Sequence, residues 1–222
     1  MKPSSIVLIF TFVLISLGVM FANHYTYDIY MTIFLIGMMI EKRKDINILH
    51  ICVVTFFVFL IEHISYDYVF PTFIAYELPR IWVEVIYKVS ILPLLCLLIG
   101  LYAYRPQLSR LYCIKTNNYE AHEKVNRTMA EAPLVGITVV TLIFYLALLV
   151  ETLLRLVAPM VLSPEIANLF KNWDLLNSNI EYVAFPLQAI SLGLIFALVF
   201  GGTKYNIEEL QREFESKEAN RT

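Results

Sequence analysis

Glu151 and Arg155 stand one helical turn apart inside the apolar run LALLVETLLRLVAPM, Leu146 to Met160. An acid and a base at that spacing share one helix face. Ionisable groups in such a run are costly, so they mark an ion pathway, a proton relay or a pairing that fixes the structure. Glu84 and Lys88 repeat the arrangement in RIWVEVIYK, again with the acid N-terminal to the base, the better orientation for an intrahelical pair. Glu62 and His63 close a third apolar run and Glu181 opens a fourth. These seven residues are the candidate site.

Other chemistry finds little footing. His24, His50, His63 and His122 show no H-E-x-x-H or H-x-x-x-H spacing, so no metal site is expected. There is no G-x-S-x-G, no Walker loop and no pair of aspartates within an apolar run. Neither a catalytic residue nor a cofactor is expected. Cys52, Cys96 and Cys113 lack ligand spacing and read as three free thiols. The net charge of −2 gives no general attraction to nucleic acid, and none is expected as a partner.

The elements that must position the charges are apolar helices. Hydrophobic residues make up 59% of the 222, and the mean hydropathy is +0.66. The expected fold is therefore all-α, a polytopic membrane helix bundle with membrane lipid around it. Six spans are proposed: Ser5 to Ala22, Tyr27 to Ile40, Ile46 to Ile64, Ile81 to Tyr104, Leu134 to Leu162, and Tyr182 to Gly202. The first resembles a signal peptide, but Met20 stands where a small residue is wanted, so it is read as an uncleaved helix. The second reaches useful length only with the tyrosines of HYTYDIY as its interfacial collar. In this scheme 13 of the 17 Lys and Arg residues fall on one side. The positive-inside rule then puts both termini in the cytoplasm of a cell whose plasma (inner) membrane holds the chain.

Depth follows from a rise of ~1.5 Å per residue, which sets Lys88 and Glu151 ~25 Å, and Glu84 ~31 Å, from the cytoplasmic boundary. All seven charged residues then form one layer in the outer leaflet, contributed by four helices. Below that layer, 89–104, 134–150 and 182–202 hold no ionisable group apart from tyrosine. A proton-coupled transporter ordinarily needs one near the midplane, so that mechanism is disfavoured. A pore lined by backbone or hydroxyls remains open.

Residues 1–203 form the expected bundle and 204–222 a cytoplasmic helical tail. The last span carries Ala189, Gly193, Ala197 and Gly201 at a four-residue step, a smooth stripe that suits packing within the chain or self-association. In the tail, Ile207, Leu210 and Phe214 follow a, d, a spacing suited to docking a partner. The cytoplasmic loop 105–133 contains YEAHEKVNRTMAEA, which sets His122, Val125, Met129 and Ala132 on one face of an expected helix. The outer connection 65–80 is dense in aromatic residues.

The expected function is a non-enzymatic multi-pass membrane subunit that forms a homo-oligomer, or pairs with a membrane partner, and docks a cytoplasmic protein. Subunits of bacterial defence or competition systems fit that description. The alternatives are a small channel or transporter whose outer charges form a vestibule, and an immunity or sensor protein reading an external ligand.

Overall fold

The computed structural model describes residues 13, 15–18, 24–75, 78–171 and 173–201. Most of these are helical, in the order α1 (His24–Glu41), α2 (Ile46–Ile64), a π-helical turn at Ser65–Val69, α3 (Phe70–Ala75), α4 (Arg80–Lys115), α5 (Tyr119–Glu123), α6 (Glu131–Val161), α7 (Pro164–Lys171) and α8 (Ile180–Gly201).

Four of these, α2, α4, α6 and α8, are long and apolar enough to cross a membrane. The expected count of about six is not reached among the described residues. The span proposed at Ser5 to Ala22 lies mostly outside them. The one at Tyr27 to Ile40 lies in α1, whose apolar stretch, Tyr30–Glu41, is a short one. An α-helix needs about 20 apolar residues to cross a hydrocarbon layer of about 30 Å, which that stretch does not supply.

Local chemistry explains where the helices begin and end. Asp45 caps α2, its carboxylate accepting from the backbone N–H of Asn47 at 3.0 Å and of Ile48 at 3.4 Å. At the far end of α4, Asn117 takes a positive φ of 55°. The N–H groups of Asn118 and Asn117 bond back to Cys113 and Ile114 at 2.9 and 3.1 Å, which closes the helix as Asn in that conformation commonly does. Asn118 then caps the next helix by accepting from Ala121 N–H at 3.1 Å. That helix, α5, stops at Glu123. The loop segment expected to present His122, Val125, Met129 and Ala132 on one helical face is therefore not one helix, and Val125 is fully buried instead.

Helix α4 was expected to leave the membrane at Tyr104, yet it continues through Pro106 to Lys115. At 1.5 Å per residue its 36 residues reach about 54 Å, well beyond one hydrocarbon layer. It runs antiparallel to α6, which it touches more extensively than any other pair of helices touch. Helix α8 sits deepest, with 44% of its most apolar window buried against 22% for each of the other three spans. Ala189, Leu192, Ile195, Leu198 and Val199 on α8 meet Leu35, Ile51, Tyr102 and Leu134 in the main core. A second cluster, Ile91, Tyr145 and Leu148, lies toward the other end of α4 and α6.

Candidate functional site

The charged residues that start this account converge where the N-terminal part of α4 meets the C-terminal part of α6. Glu84 is their hub. Its carboxylate takes Arg155 at 3.1 Å, Lys88 at 3.6 Å and Arg80 at 3.5 Å. The intrahelical pairing of Glu84 with Lys88 is present. The expected pairing of Glu151 with Arg155 is not. Arg155 crosses to Glu84 on α4 and to Asp174 at 3.0 Å, in the connection between α7 and α8. Glu151 turns the other way.

The reason lies in that connection. Turns at 175–179 leave backbone N–H groups without helical partners, and Glu151 accepts them. Its two carboxylate oxygens receive Leu176 N–H at 3.1 and 3.0 Å, Asn177 N–H at 3.0 Å and the Asn177 amide at 3.0 Å. A carboxylate so supplied with donors has its hydrogen-bonding capacity met by the connection itself. Lys88, only 3% exposed, donates to Thr152 at 2.7 Å and to the Asn177 carbonyl oxygen as well as pairing with Glu84. Asn177 is thus the bridge that joins Glu151 to Lys88.

The remaining members of the proposed layer stand as follows. Glu62 is half-buried on α2 and lines a partly open cavity. His63 is half-buried, its ring stacked on Phe59 with centroids 6.2 Å apart. Glu181 is exposed in the first turn of α8. Asp174, Asn177 and Thr152 were not singled out from the sequence. Their polarity alone gives no sign that a loop folds back over the helix ends.

A second polar cluster closes the other end of the same helix pair, and sequence reasoning missed it. Arg105 on α4 is 1% exposed and Glu131 on α6 is 4% exposed, and they form a salt bridge. Arg105 also donates to Asn47 Oδ1 at 2.7 Å and to the backbone carbonyl of Asn126. Glu131 accepts from the N–H and hydroxyl of Thr128 at 2.9 and 3.1 Å. Asn47 fixes the loop from the other side, donating to Lys124 O and accepting from Asn126 N–H, both at 2.9 Å. The T-x-x-E spacing of Thr128 and Glu131 ahead of an apolar run is a capping-box signature, and it was the available signal. Lys88 and Arg105 are 17 positions apart on α4, about 26 Å along the axis. That separation is close to one hydrocarbon thickness, so the two clusters edge an apolar slab.

Between them lies a cavity of about 110 Å³. All four long helices line it, mostly with apolar side chains, and its polar groups come from Thr55, Tyr102, Thr138, Thr141, Tyr145, Gln188 and Ser191, with Glu62 toward one end. Thr55, Thr138, Thr141 and Ser191 donate to carbonyls one turn back, at 2.8, 2.7, 2.9 and 2.9 Å. Thr55 Oγ and the Tyr102 hydroxyl lie 2.7 Å apart.

The small-residue stripe is drawn into the same core. Ala189 and Gly193 are buried and Ala197 half-buried, while Gly201 ends α8. Ile207, Leu210 and Phe214 lie outside the described residues. Among the described residues no cluster of His, Cys, Asp or Glu could hold a metal ion.

Fold and site together define a class: an all-helical protein with four apolar helices of membrane-crossing length, clamped by polar clusters at both ends. Neither a protein-family model, a curated protein nor a solved structure matches the chain.

Proposed function

We propose that the chain is a non-enzymatic multi-pass protein of the plasma membrane whose helix core receives a small polar solute or ion, as a compact channel or transporter does. The observation that carries this reading is the cavity between four apolar helices, midway between the two polar clusters, whose mainly apolar lining is interrupted by hydroxyls and by the Gln188 amide. The hydroxyls are satisfied within their own helices, but an amide such as Gln188 at that depth is costly in a bundle that only needs to pack. The ion pairs around Glu84 frame the end from which Glu62 reaches the cavity.

The subunit reading rests on other features. Its intramembrane half needs the Ala189 and Gly193 stripe to face a second chain, and both residues are buried within this one. Its remaining support is the tail, where Ile207, Leu210 and Phe214 would dock a cytoplasmic protein. We infer the orientation from the basic residues: the Arg105 end, with 105–127 and the tail, faces the cytoplasm.

Thiol labelling tests both points. In a Cys96→Ser background, Ser191→Cys should react with a small water-soluble thiol reagent far faster than Cys52, which is fully buried. A Ser191→Cys thiol as inert as Cys52 would mean a dry core and would end the solute reading. Labelling of Lys115→Cys by an impermeant reagent on intact cells would reverse the orientation.

A further inference from the structure

The face that α8 turns to the cavity is Ala184, Leu187, Gln188, Ser191 and Leu192, a stripe at helical spacing with Gln188 at its centre. Ser191 gives its proton to Leu187 O, as Thr55, Thr138 and Thr141 give theirs to carbonyls of their own helices. Tyr102 meets Thr55, and Glu62 and Tyr145 already have partners. The Gln188 amide differs from all of these. It is half-buried and has no hydrogen-bond partner among the described residues. Val58, Phe59, Ile91, Leu95 and Leu98 make up much of the wall that α2 and α4 contribute. An amide brings two N–H donors and an acceptor oxygen, and in such a surrounding they are costly until a matching group meets them.

We propose that this cavity binds a small neutral amphiphile: a short hydrocarbon body ending in one uncharged hydrogen-bonding group, a carboxamide or a hydroxyl, that pairs with the Gln188 amide. This rests on the solute reading above and names the class of solute. An ion would have to leave its water for walls that are mostly hydrocarbon. A lipid acyl chain would suit the walls and leave the amide unpaired. An amphiphile satisfies both, its chain against the leucines and its head on Gln188. A carboxamide matches best, since it returns an acceptor to the Gln188 N–H groups and a donor to the Gln188 carbonyl oxygen. The volume of about 110 Å³ is somewhat below the ~150 Å³ of an apolar cavity that admits benzene, and the cavity is partly open, which suits a solute of about five or six non-hydrogen atoms.

The test uses the full chain in lipid nanodiscs, with Ser191→Cys in the Cys96→Ser background and butyramide as the probe. Butyramide should slow the reaction of that thiol saturably, because a probe held on Gln188 covers position 191 one turn away. Butyrate and butylammonium, charged molecules of similar length, should not slow it at the same concentration. The half-protecting concentration should rise about fivefold or more in Gln188→Leu and in Gln188→Met, as the probe loses its hydrogen bonds. Gel filtration separates variants that misfold. Lys115→Cys, at the end of α4, should react at one rate with or without the probe. A reactive Ser191→Cys that butyramide does not protect overturns the amphiphile while the solute reading stands. An inert Ser191→Cys overturns both. Equal protection by butyrate or butylammonium overturns the neutral class. Protection that is unchanged in both Gln188 variants, or matched by equal slowing at Lys115→Cys, overturns the site.

Discussion

The two ends of the α4–α6 pair solve one problem in opposite ways. At the Glu84 end the charge is distributed: three acids, Glu84, Glu151 and Asp174, face three bases, Arg80, Lys88 and Arg155, and Glu84 alone touches all three bases. At the Arg105 end a single pair is shut away and completed by backbone from the loop at 124–128. Redundancy makes the first tolerant of losing a member. The second has no substitute for either partner, because burial excludes the water that would otherwise solvate a lone charge.

The largest effect is therefore expected where the charge is fewest. Glu131→Ala should cost about 3–5 kcal/mol, since Arg105 would be left buried without its counter-ion. Arg105→Lys should recover little of the loss from Arg105→Ala, because an ammonium cannot reach Asn47, Asn126 and Glu131 at once as the guanidinium does. The double change Arg105→Met with Glu131→Leu should be milder than either single truncation, having removed both charges. Thermal unfolding in detergent measures all of these. A double variant less stable than both singles would mean that the pair contributes through its loop contacts rather than its charge.

At the other end, the effect depends on what each group holds. Glu151→Ala removes the acceptor for Leu176 and Asn177 N–H and should cost about 1–3 kcal/mol as those donors lose their partners. Glu151→Gln keeps one oxygen and should cost less. Arg155→Ala should cost only about 1 kcal/mol, because Glu84 retains Lys88 and Arg80 and Asp174, itself half-exposed, can turn to water. That reverses the expectation from spacing alone, in which Arg155→Ala strands Glu151. Faster proteolysis within 172–179 in Glu151→Ala but not in Arg155→Ala would confirm that Glu151 holds the connection down.

These cases mark what could be read from the sequence. Apolar length and periodicity located α2, α4, α6 and α8 to within a few residues, apart from the C-terminal extension of α4, because burial in lipid is a property of whole segments. The charges Glu84, Lys88, Glu151 and Arg155 were identifiable, and so was the level they share, since helix rise is fixed. Their partners were not. Whether Arg155 bonds to Glu151 on its own helix or to Glu84 across the interface depends on how α4 packs against α6, and on the fold of 172–179. The Arg105 pair escaped notice for a related reason. Glu131 opens α6 and Arg105 follows the apolar stretch of α4, places where a charge is expected in water, and only the packed loop makes each of them buried. The cavity hydroxyls read as ordinary polar residues until the helices brought Thr55, Tyr102, Thr138 and Ser191 around one space.

The smallest effect belongs to a third kind of pair, which sets the lower limit of the comparison. Glu120 and Lys124 pair one turn apart at α5 and are well exposed. The hydrogen bond from Lys124 and its positive charge hold the Glu120 carboxyl below its ordinary value of 4.5. A depressed acid stabilises the fold at pH above its unfolded value and loses that contribution as pH falls through the folded one. Any stabilisation from this pair is thus present at neutral pH and gone in acid, and salt should screen it. A carboxyl NMR titration should place Glu120 below 4.5 in the parent chain and nearer 4.5 in Lys124→Met, with no resolved change in thermal midpoint at pH 7. The contrast with Glu131→Ala would then rest on burial alone, since both are acid–base pairs in the same connecting region. Should Lys124→Met lower the midpoint as much as Glu131→Ala does, exposure would not be what separates them, and α5 would have to be packed against something more than water.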